Sequence, residues 1–268
     1  MMRQNNPYIF VIGNEKGGAG KTTCSMHLIA GLLDKGYKIL SIDADTRQQS
    51  LTTYIHNRAK YNQITQTSLP LPTHYTLEEV ANGNIDDKIK LEEQLLRNII
   101  NNNSDYDYIV IDTPGSHSSY SRLAHSYADT IITPINDSFV DLDVIAKITV
   151  DNLEMAKPSI YSQMIWEQKI NKASRDGGSI NWFVMRNRLS NIDAINKRNI
   201  ANAVNKLSKR LSFKVAPGFS ERVIYRELFP KGLTLFDLNQ IEFERSFSLS
   251  HVAARQELRN FFDYIGVK

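Results

Sequence analysis

The chain has 268 residues, of which 41% are hydrophobic and 23% charged, a composition typical of an ordinary globular protein and not of a disordered one. Its only cysteine, Cys24, excludes an internal disulfide and any iron–sulfur or zinc site that needs several cysteines. The formal net charge is +3, but residues 157–231 alone carry +10. This asymmetry predicts a basic face that meets a polyanion, with an evenly solvated surface as the alternative.

The first apolar run, Tyr8–Ile12, is too short for the hydrophobic region of a signal peptide. The chain also has no apolar stretch of 18 residues, which is the length that a membrane-spanning helix needs. We therefore expect a cytoplasmic protein without stable membrane insertion.

Short apolar runs alternate with amphipathic stretches along the chain, a pattern typical of βα units on a parallel sheet. The pattern predicts an α/β protein with three layers, in which helices flank a twisted, mostly parallel sheet, and a single domain over residues 1–268. The predicted strands are Tyr8–Gly13, Lys38–Asp43, Tyr108–Asp112, Thr130–Pro134, Trp182–Arg186 and Phe213–Ala216. The predicted helices are Lys21–Lys35, Ile85–Asn101, Asp141–Met155, Ile192–Leu211 and Leu249–Tyr264, and the predicted loops are Tyr54–Thr76 and Lys169–Gly178.

The segment from Gly13 to Thr23, GNEKGGAGKTT, joins the first predicted strand to the first predicted helix. Its glycines allow successive backbone N–H groups to point at phosphate oxygens, and the helix N-terminus adds favourable partial charge. Lys21 can then reach the β- and γ-phosphates of ATP, and the Thr22 hydroxyl can ligate Mg²⁺. The sequence therefore predicts a phosphate-binding loop formed by Gly17, Gly18, Ala19, Gly20, Lys21, Thr22 and Thr23.

Aspartates lie where two of the predicted strands end: Asp43 ends the second strand, Asp45 follows it, and Asp112 ends the third. Ligands of open α/β sheets bind in the crevice at the carboxyl ends of the strands. Asp112 is therefore predicted to hold Mg²⁺, directly or through a water, and Thr113–Gly115 to form a switch loop. A capping or turn role is the alternative for each aspartate.

The phosphate loop departs from the ordinary pattern because Glu15 replaces its first glycine and a second lysine, Lys16, precedes Lys21 by five residues. This arrangement resembles the deviant Walker A motif of the ParA/MinD ATPase family. The resemblance implies an ATP-dependent homodimer in which Lys16 reaches the nucleotide of the partner subunit. It further implies that Asp45 orients the attacking water, that Asp43 supports the metal shell, and that ATP hydrolysis is slow.

By the same resemblance, Asn187 hydrogen-bonds the adenine edge and the backbone around Pro217 contacts the same base. Asn187 follows a predicted strand, so a turn role is the alternative for this residue.

Four longer blocks, at residues 14–16, 133–141, 186–189 and 221–230, resemble the MipZ family of division-plane regulators. The resemblance implies binding to a ParB-like partition protein and to non-specific DNA, inhibition of FtsZ assembly, and a location at the nucleoid and the cell pole. A ParA-type ATPase for chromosome or plasmid partitioning is the alternative. A biosynthetic enzyme of the same fold would need a further small-molecule site, for which the sequence offers no cluster of nucleophile and base.

The predicted helix Ile192–Leu211 places Arg198, Lys206 and Lys209 on the side opposite its apolar residues, at 100° per residue. Basic side chains on one helix face suit contact with DNA phosphates irrespective of sequence. A solvated helix face without a ligand is the alternative.

The C-terminal segment His251–Lys268 could form an amphipathic helix that binds a membrane surface. Glu257 and Asp263 interrupt the basic character that anionic lipid favours. We therefore expect this helix to pack against the sheet.

Overall fold

A computed structural model of the chain describes residues 6–80, 84–148, 155–189, 195–239 and 249–267. Strands and helices alternate through these residues, as the sequence predicts. In chain order the elements are β1 (Tyr8–Ile12), α1 (Lys21–Asp34), β2 (Ile39–Asp43), α2 (Ser50–Thr65), β3 (Thr73–Thr76), α3 (Ile85–Asn102), β4 (Tyr108–Asp112), α4 (Ser119–Tyr127), β5 (Thr130–Asn136), α5 (Phe139–Leu142), β6 (Ala146–Ile148), β7 (Met155–Pro158), α6 (Ile160–Asp176), β8 (Asn181–Asn187), α7 (Ile195–Leu211), β9 (Lys214–Ala216), α8 (Ile224–Leu228) and α9 (Leu249–Ile265).

Seven of these strands form a parallel sheet in the order β3-β2-β4-β1-β5-β8-β9, and β6 pairs with β7 in a separate antiparallel ribbon. The carboxyl ends of the seven strands therefore meet at one edge. The register pairs Asp112 with Ile12 on one side and with Asp43 on the other. Two of the predicted acidic residues thus lie on the neighbouring strands β2 and β4, and β4 is next to β1, the strand that leads into the phosphate loop.

Alternate residues of the strands enter two hydrophobic clusters, one on each face of the sheet. In β1, for example, Val11 belongs to the cluster that packs against α3, α4, α6 and α7, whereas Phe10 belongs to the cluster that packs against α1, α2 and α9. Helices cover both faces because strands of a parallel sheet are buried on both sides. The predicted three-layer α/β fold is confirmed.

The loop predicted at Tyr54–Thr76 is wrong. Most of this segment belongs to α2 and β3. The buried face of α2 has helical spacing, but one of its members is the charged Arg58, which is 1% exposed. A hydrophobicity pattern counts a buried arginine as a polar surface residue. The apolar face of this helix is therefore not recognised from the sequence.

The helix predicted at Asp141–Met155 is also wrong, since the described part of this segment contains the end of the short α5 and the strand β6. The Ser138 side chain caps α5 by accepting a hydrogen bond from the backbone N–H of Asp141 at 3.1 Å. The residues that follow are rich in β-branched side chains, which favour a strand. Residues 149–154 lie outside the described part of the chain.

The loop predicted at Lys169–Gly178 is wrong as well, because α6 continues to Asp176 and ends at Gly177, whose φ of 69° suits a helix C-terminus. Two polar residues, Gln168 and Lys172, occupy buried positions of this helix. Because these buried positions carry polar residues, the sequence lacks the apolar periodicity from which a helix is predicted.

The C-terminal helix α9 buries Leu258, Phe261 and Phe262 in the same cluster as Phe10 of the sheet, which confirms the predicted packing. Val252, an apolar residue in the first turn of this helix, is 56% exposed and takes no part in this packing. Within the described residues, the longest apolar helical segments fall short of what is needed to cross a bilayer.

Candidate nucleotide site

The loop between β1 and α1 curls through two left-handed glycines, Gly18 with φ 75° and Gly20 with φ 91°. A side chain at Gly20 would place its Cβ 2.1 Å from Nδ2 of Asn187, so this position needs glycine for space as well as for conformation. Gly20 also precedes the first turn of α1, which no side chain of the described residues caps. The unsatisfied N–H groups of a helix start are suited to bind an anion.

A cleft of about 490 Å³ opens beside this loop at the carboxyl edge of the sheet. It brings together residues that are far apart in the sequence, namely the phosphate loop, the end of β4 and the segment after β2. Its lining includes Gly17, Gly18, Gly20, Lys21, Thr22, Thr23, Asp45, Arg47, Asp112, Pro114, Gly115 and Arg188. Ala19 of the same loop is fully buried and does not line the cleft.

Two hydroxyl groups and a carboxylate meet at the floor of the cleft. The Thr22 hydroxyl donates to Oδ2 of Asp112 at 2.7 Å, and the Ser25 hydroxyl donates to Oδ1 of Asp112 at 3.1 Å. Oxygen ligands of these kinds, completed by phosphate oxygens and waters, are what Mg²⁺ prefers, so the donor set fits this ion. Burial, with the nearby charge of Asp43, raises the pKa of Asp112 to about 7. A divalent cation would favour its ionised form.

Asp43 lies behind the cleft and is fully buried. Its Oδ2 accepts hydrogen bonds from the backbone N–H of Thr52 at 2.9 Å and from the Thr52 hydroxyl at 3.0 Å. Burial raises the pKa of Asp43, and these hydrogen bonds oppose the shift. The structure therefore places Asp43 as a support next to Asp112 and not in the lining.

Asp45 lines the cleft and also holds the turn that follows it. Its Oδ1 accepts from the backbone N–H groups of Arg47 at 3.2 Å and Gln48 at 3.0 Å. Asp45 therefore has the turn role that the sequence left open, and it also lies at the cleft.

The two lysines of the loop point in different directions. The Lys21 amine, in a residue that is 9% exposed, lines the cleft and donates to the carbonyl oxygen of Lys16 at 3.2 Å. Burial lowers the pKa of Lys21, and the carboxylates of Asp112 and Asp45 oppose the shift. The Lys16 amine lies outside the cleft, 2.8 Å from Oδ1 of the buried Asp141.

A second, smaller cleft of about 260 Å³ adjoins the first and shares Gly20, Thr23, Arg188 and Phe229 with it. Its remaining walls include Asn187 and the aromatic rings of Phe219 and Tyr225, which suit a flat base. Asn187 holds the phosphate loop, because its Nδ2 donates to the carbonyl oxygen of Ala19 at 2.8 Å. Pro217 lies outside the lining of both clefts.

Sequence reasoning misses three residues of this site. Asp141 ends one of the blocks that resemble the MipZ family and begins a predicted helix, and neither feature gives it a role at the site, although a serine three residues earlier is a capping signal. Arg47 follows the two acids after the second strand and carries no motif of its own. Arg188 lies within one of the blocks that resemble the MipZ family, and its place between the two clefts depends on folding.

Helix α7 exposes the three predicted basic residues, Arg198, Lys206 and Lys209, while Val204 and Leu207 are buried on the opposite side. The apolar residue at position 192 lies outside the described residues. The predicted two-faced character of the helix is therefore present from Arg198 onward.

A larger cavity of about 760 Å³ lies at the opposite edge of the sheet, near the start of β1 and β5. Its Lys172 amine is 2.9 Å from Oδ1 of Asp129, and its Arg175 guanidinium donates to the carbonyl oxygen of Ser126 at 3.0 Å. These charges are satisfied within the chain, and the cavity shares no lining residue with the phosphate cleft.

Comparison with known proteins relates the chain to ATPases that act in cell division and partitioning. Septum site-determining protein MinD from Helicobacter pylori is 28% identical over 155 residues, which are 52% of this chain and 58% of that protein. Chromosome partitioning protein ParA from Myxococcus xanthus is 26% identical over 162 residues, which are 53% of this chain and 56% of that protein. The chain thus spans less than two thirds of the length of these two relatives.

Solved structures share the fold along nearly the whole chain. An ATP complex of a McdA variant from Cyanothece has a TM-score of 0.62 at 17% identity and covers 98% of both chains. MinD from Aquifex aeolicus has a TM-score of 0.59 at 18% identity and covers 97% of this chain and 98% of its own. The profile of the family described as ATPase MipZ matches residues 8–267. The chain therefore belongs to the MipZ ATPase family within the ParA/MinD group.

Proposed function

We propose that this chain is an ATP-dependent dimerisation switch with slow ATP hydrolysis, which positions the division site by inhibiting FtsZ assembly. The observation that carries the proposal is the cleft in which Lys21, Thr22 and Asp112 converge, while Lys16 of the same loop points out of it. The first three residues suit the phosphates and magnesium of one bound nucleotide. The outward lysine suits the nucleotide of a second copy.

Each group has a definite task in this proposal. Lys21 and the loop N–H groups neutralise phosphate charge, and Thr22 and Asp112 hold Mg²⁺, which withdraws charge from the phosphates when bound. Asp45 orients the attacking water, and Lys16 of the partner subunit completes the site. Because the complete site exists only in the dimer, hydrolysis ends the dimeric state.

The proposed setting is a cytoplasmic protein, folded as a single domain over residues 1–268, that associates with the nucleoid and the cell pole. Its proposed partners are a ParB-like partition protein, FtsZ and non-specific DNA. Membership of the MipZ family and the relationship to MinD and ParA support this setting.

The first prediction concerns FtsZ. With ATP and Mg²⁺, the purified chain is expected to reduce the light scattering of FtsZ polymers. The Lys21→Ala variant is expected to leave the scattering unchanged, because it lacks the ammonium group that holds the nucleotide. Lys60→Ala, which removes an exposed lysine of α2, is the matched control and should act as the parent does. Full FtsZ polymer in the presence of the ATP-saturated parent would contradict the proposal.

A ParA-type partition ATPase is the second candidate, supported by the similarity to the Myxococcus xanthus protein. The match of the MipZ profile to residues 8–267 favours the first candidate. The same experiment separates them, because a partition ATPase leaves the amount of FtsZ polymer unchanged.

The second prediction concerns DNA. Changing Arg198 and Lys209 together to alanine is expected to weaken retention of non-specific DNA, since both side chains extend from the exposed face of α7. The dependence of log K on log salt should become shallower by about two, because each of the two cations neutralises one DNA phosphate. Binding of ATP should persist.

Changing Lys60 and Lys90 to alanine removes the same charge from exposed positions on other helices and is the matched control. If the double variant of α7 retained DNA like the parent at every salt concentration, this face would not be the DNA surface.

A further inference from the structure

Two arginines outside the phosphate loop stand at opposite ends of the phosphate cleft. Arg188 lines this cleft and the aromatic-walled cleft beside it. Arg47 lines the phosphate cleft and a third cleft of about 390 Å³, whose shared wall also contains Asp45, Pro114 and Ser116. The residues that the phosphate cleft shares with the aromatic-walled cleft differ from those that it shares with the third cleft. Arg188 and Arg47 therefore mark the two ends of the phosphate cleft.

This arrangement determines the orientation of a nucleotide along the cleft. The flat aromatic cleft receives the base, so Arg188 lies at the end where the ribose and the first phosphate pass. The phosphate loop holds the middle part of the triphosphate. Arg47, at the far end beside Asp45, is then opposite the terminal phosphate.

The backbone of Arg47 is fixed while its side chain is exposed. The turn is held by the Asp45 carboxylate, which accepts from the N–H of Arg47, and by the Asp45 carbonyl oxygen, which accepts from the N–H of Gln49 at 3.0 Å. Among the described residues, the Arg47 side chain has no ion-pair partner. The guanidinium therefore remains available to an incoming anion on a turn whose backbone is held by hydrogen bonds.

The charges that line the cleft leave a task for a further cation at the Arg47 end. Asp45 and Asp112 offset the charges of Lys21 and Arg188, and the Lys16 amine is engaged by Asp141 outside the cleft. A terminal phosphate group adds up to about two negative charges to this place. Guanidinium groups bind phosphate oxygens with two parallel hydrogen bonds, which is the geometry that such a group requires.

We propose that Arg47 binds the terminal phosphate of ATP within its own chain and thereby makes the site distinguish ATP from ADP. This inference rests on the proposed nucleotide-binding function. It adds that each subunit senses ATP before dimerisation, through the segment after β2, and that Lys16 of the partner acts only afterwards.

The test is calorimetric titration with ADP and with the non-hydrolysable analogue AMPPNP, both with Mg²⁺, at several protein concentrations. Arg47→Ala is expected to raise the Kd for AMPPNP by about tenfold or more, in line with the loss of a charged hydrogen bond, and to leave the Kd for ADP within about twofold. Arg47→Lys should show a smaller rise, because it keeps the charge without the paired geometry.

Arg188→Ala is the comparison at the other end of the phosphate cleft and should weaken the binding of ADP and of AMPPNP to a similar extent. Arg122→Ala, whose side chain pairs with Glu167 on the surface, should change neither. ADP binding by each variant also reports that the site is folded.

Three results would overturn the assignment of Arg47. One is an AMPPNP affinity equal to that of the parent, and another is an equal loss of affinity for ADP and AMPPNP. The third is a loss of affinity that disappears on dilution of the protein, because it would place Arg47 on the nucleotide of the partner. A parent that bound neither nucleotide would refute the proposed function itself, which is a different result.

Discussion

Replacing Lys16 with alanine is expected to leave a chain that binds ATP and remains monomeric. In the structure the Lys16 amine is 2.8 Å from Asp141 and lies outside the phosphate cleft, so its removal leaves the binding of the subunit's own nucleotide intact. The expected effect is on the dimer, where this amine would meet the nucleotide of the partner. The rate of ATP hydrolysis should fall on the order of 10³-fold, the lower end of the effect of an arginine finger, which supplies a cation to the transition state in the same way.

Light scattering coupled to gel filtration, with and without ATP and Mg²⁺, measures the first part of this prediction. Phosphate release measures the second. Lys21→Ala is the informative contrast, because it should abolish nucleotide binding and therefore also the dimer. A Lys16→Ala protein that dimerised and hydrolysed ATP at the parental rate would disprove the trans role.

Asp141 provides a further control for Lys16. The Asp141 side chain is 7% exposed and that of Lys16 is 37% exposed, so the ion pair draws the lysine toward the body of its own chain. Asp141→Asn removes the negative charge while preserving the size of the side chain. Dimerisation should be retained in this variant, because the lysine is released and not removed. A monomeric Asp141→Asn protein would mean that the Lys16 variant acts through local structure around Asp141.

The parts of the fold and the site that the sequence predicts depend on neighbours in the chain. The phosphate loop is one continuous segment from Gly13 to Thr23, and its position between a strand and a helix follows from local patterns. Asp43 and Asp112 end short, largely apolar strands that contain several isoleucines, and the parallel arrangement of strands then places them side by side. The helices that escape prediction bury polar side chains, as Arg58 does in α2 and Lys172 does in α6.

Pairings between distant segments could not be predicted. The partner of Lys16 is 125 positions away along the chain, and Arg47 and Arg188 share a cleft only because the segments after β2 and β8 meet at the same edge. Neighbouring residues give no sign of such pairings. The adenine contacts assigned to Asn187 and Pro217 remain predictions, and the bond from Asn187 to Ala19 adds a structural role for this side chain.

The buried pair of Arg58 and Asp237 carries the prediction with the largest effect on stability. The two guanidinium nitrogens of Arg58 each donate to one carboxylate oxygen of Asp237 at 2.7 Å, and both residues are nearly inaccessible to water. Arg58 also donates to the carbonyl oxygens of Pro70 and Gly232, and Asp237 accepts from the N–H of Thr234. This network joins α2 to the segment after α8.

Asp237→Ala is expected to lower the free energy of unfolding by about 3–5 kcal/mol, because it leaves the Arg58 charge buried without its partner. Such a decrease is a large part of the roughly 5–15 kcal/mol that stabilises a typical domain. Urea denaturation followed by circular dichroism measures it. Glu167→Ala, which removes the partner of Arg122 from an exposed pair, is the matched control and should have little effect.

The double variant Arg58→Met with Asp237→Leu separates the effect of packing from that of an uncompensated charge, since apolar side chains of similar size often replace a buried ion pair without loss of stability. It should be more stable than Asp237→Ala alone, and an equal or lower stability would contradict the charge argument. The pair also matters for the site, because α2 carries Thr52, whose backbone and hydroxyl both bind Asp43 next to Asp112. Loosening α2 should therefore weaken Mg²⁺-dependent nucleotide binding in Asp237→Ala well below its unfolding midpoint, whereas the double variant should restore it.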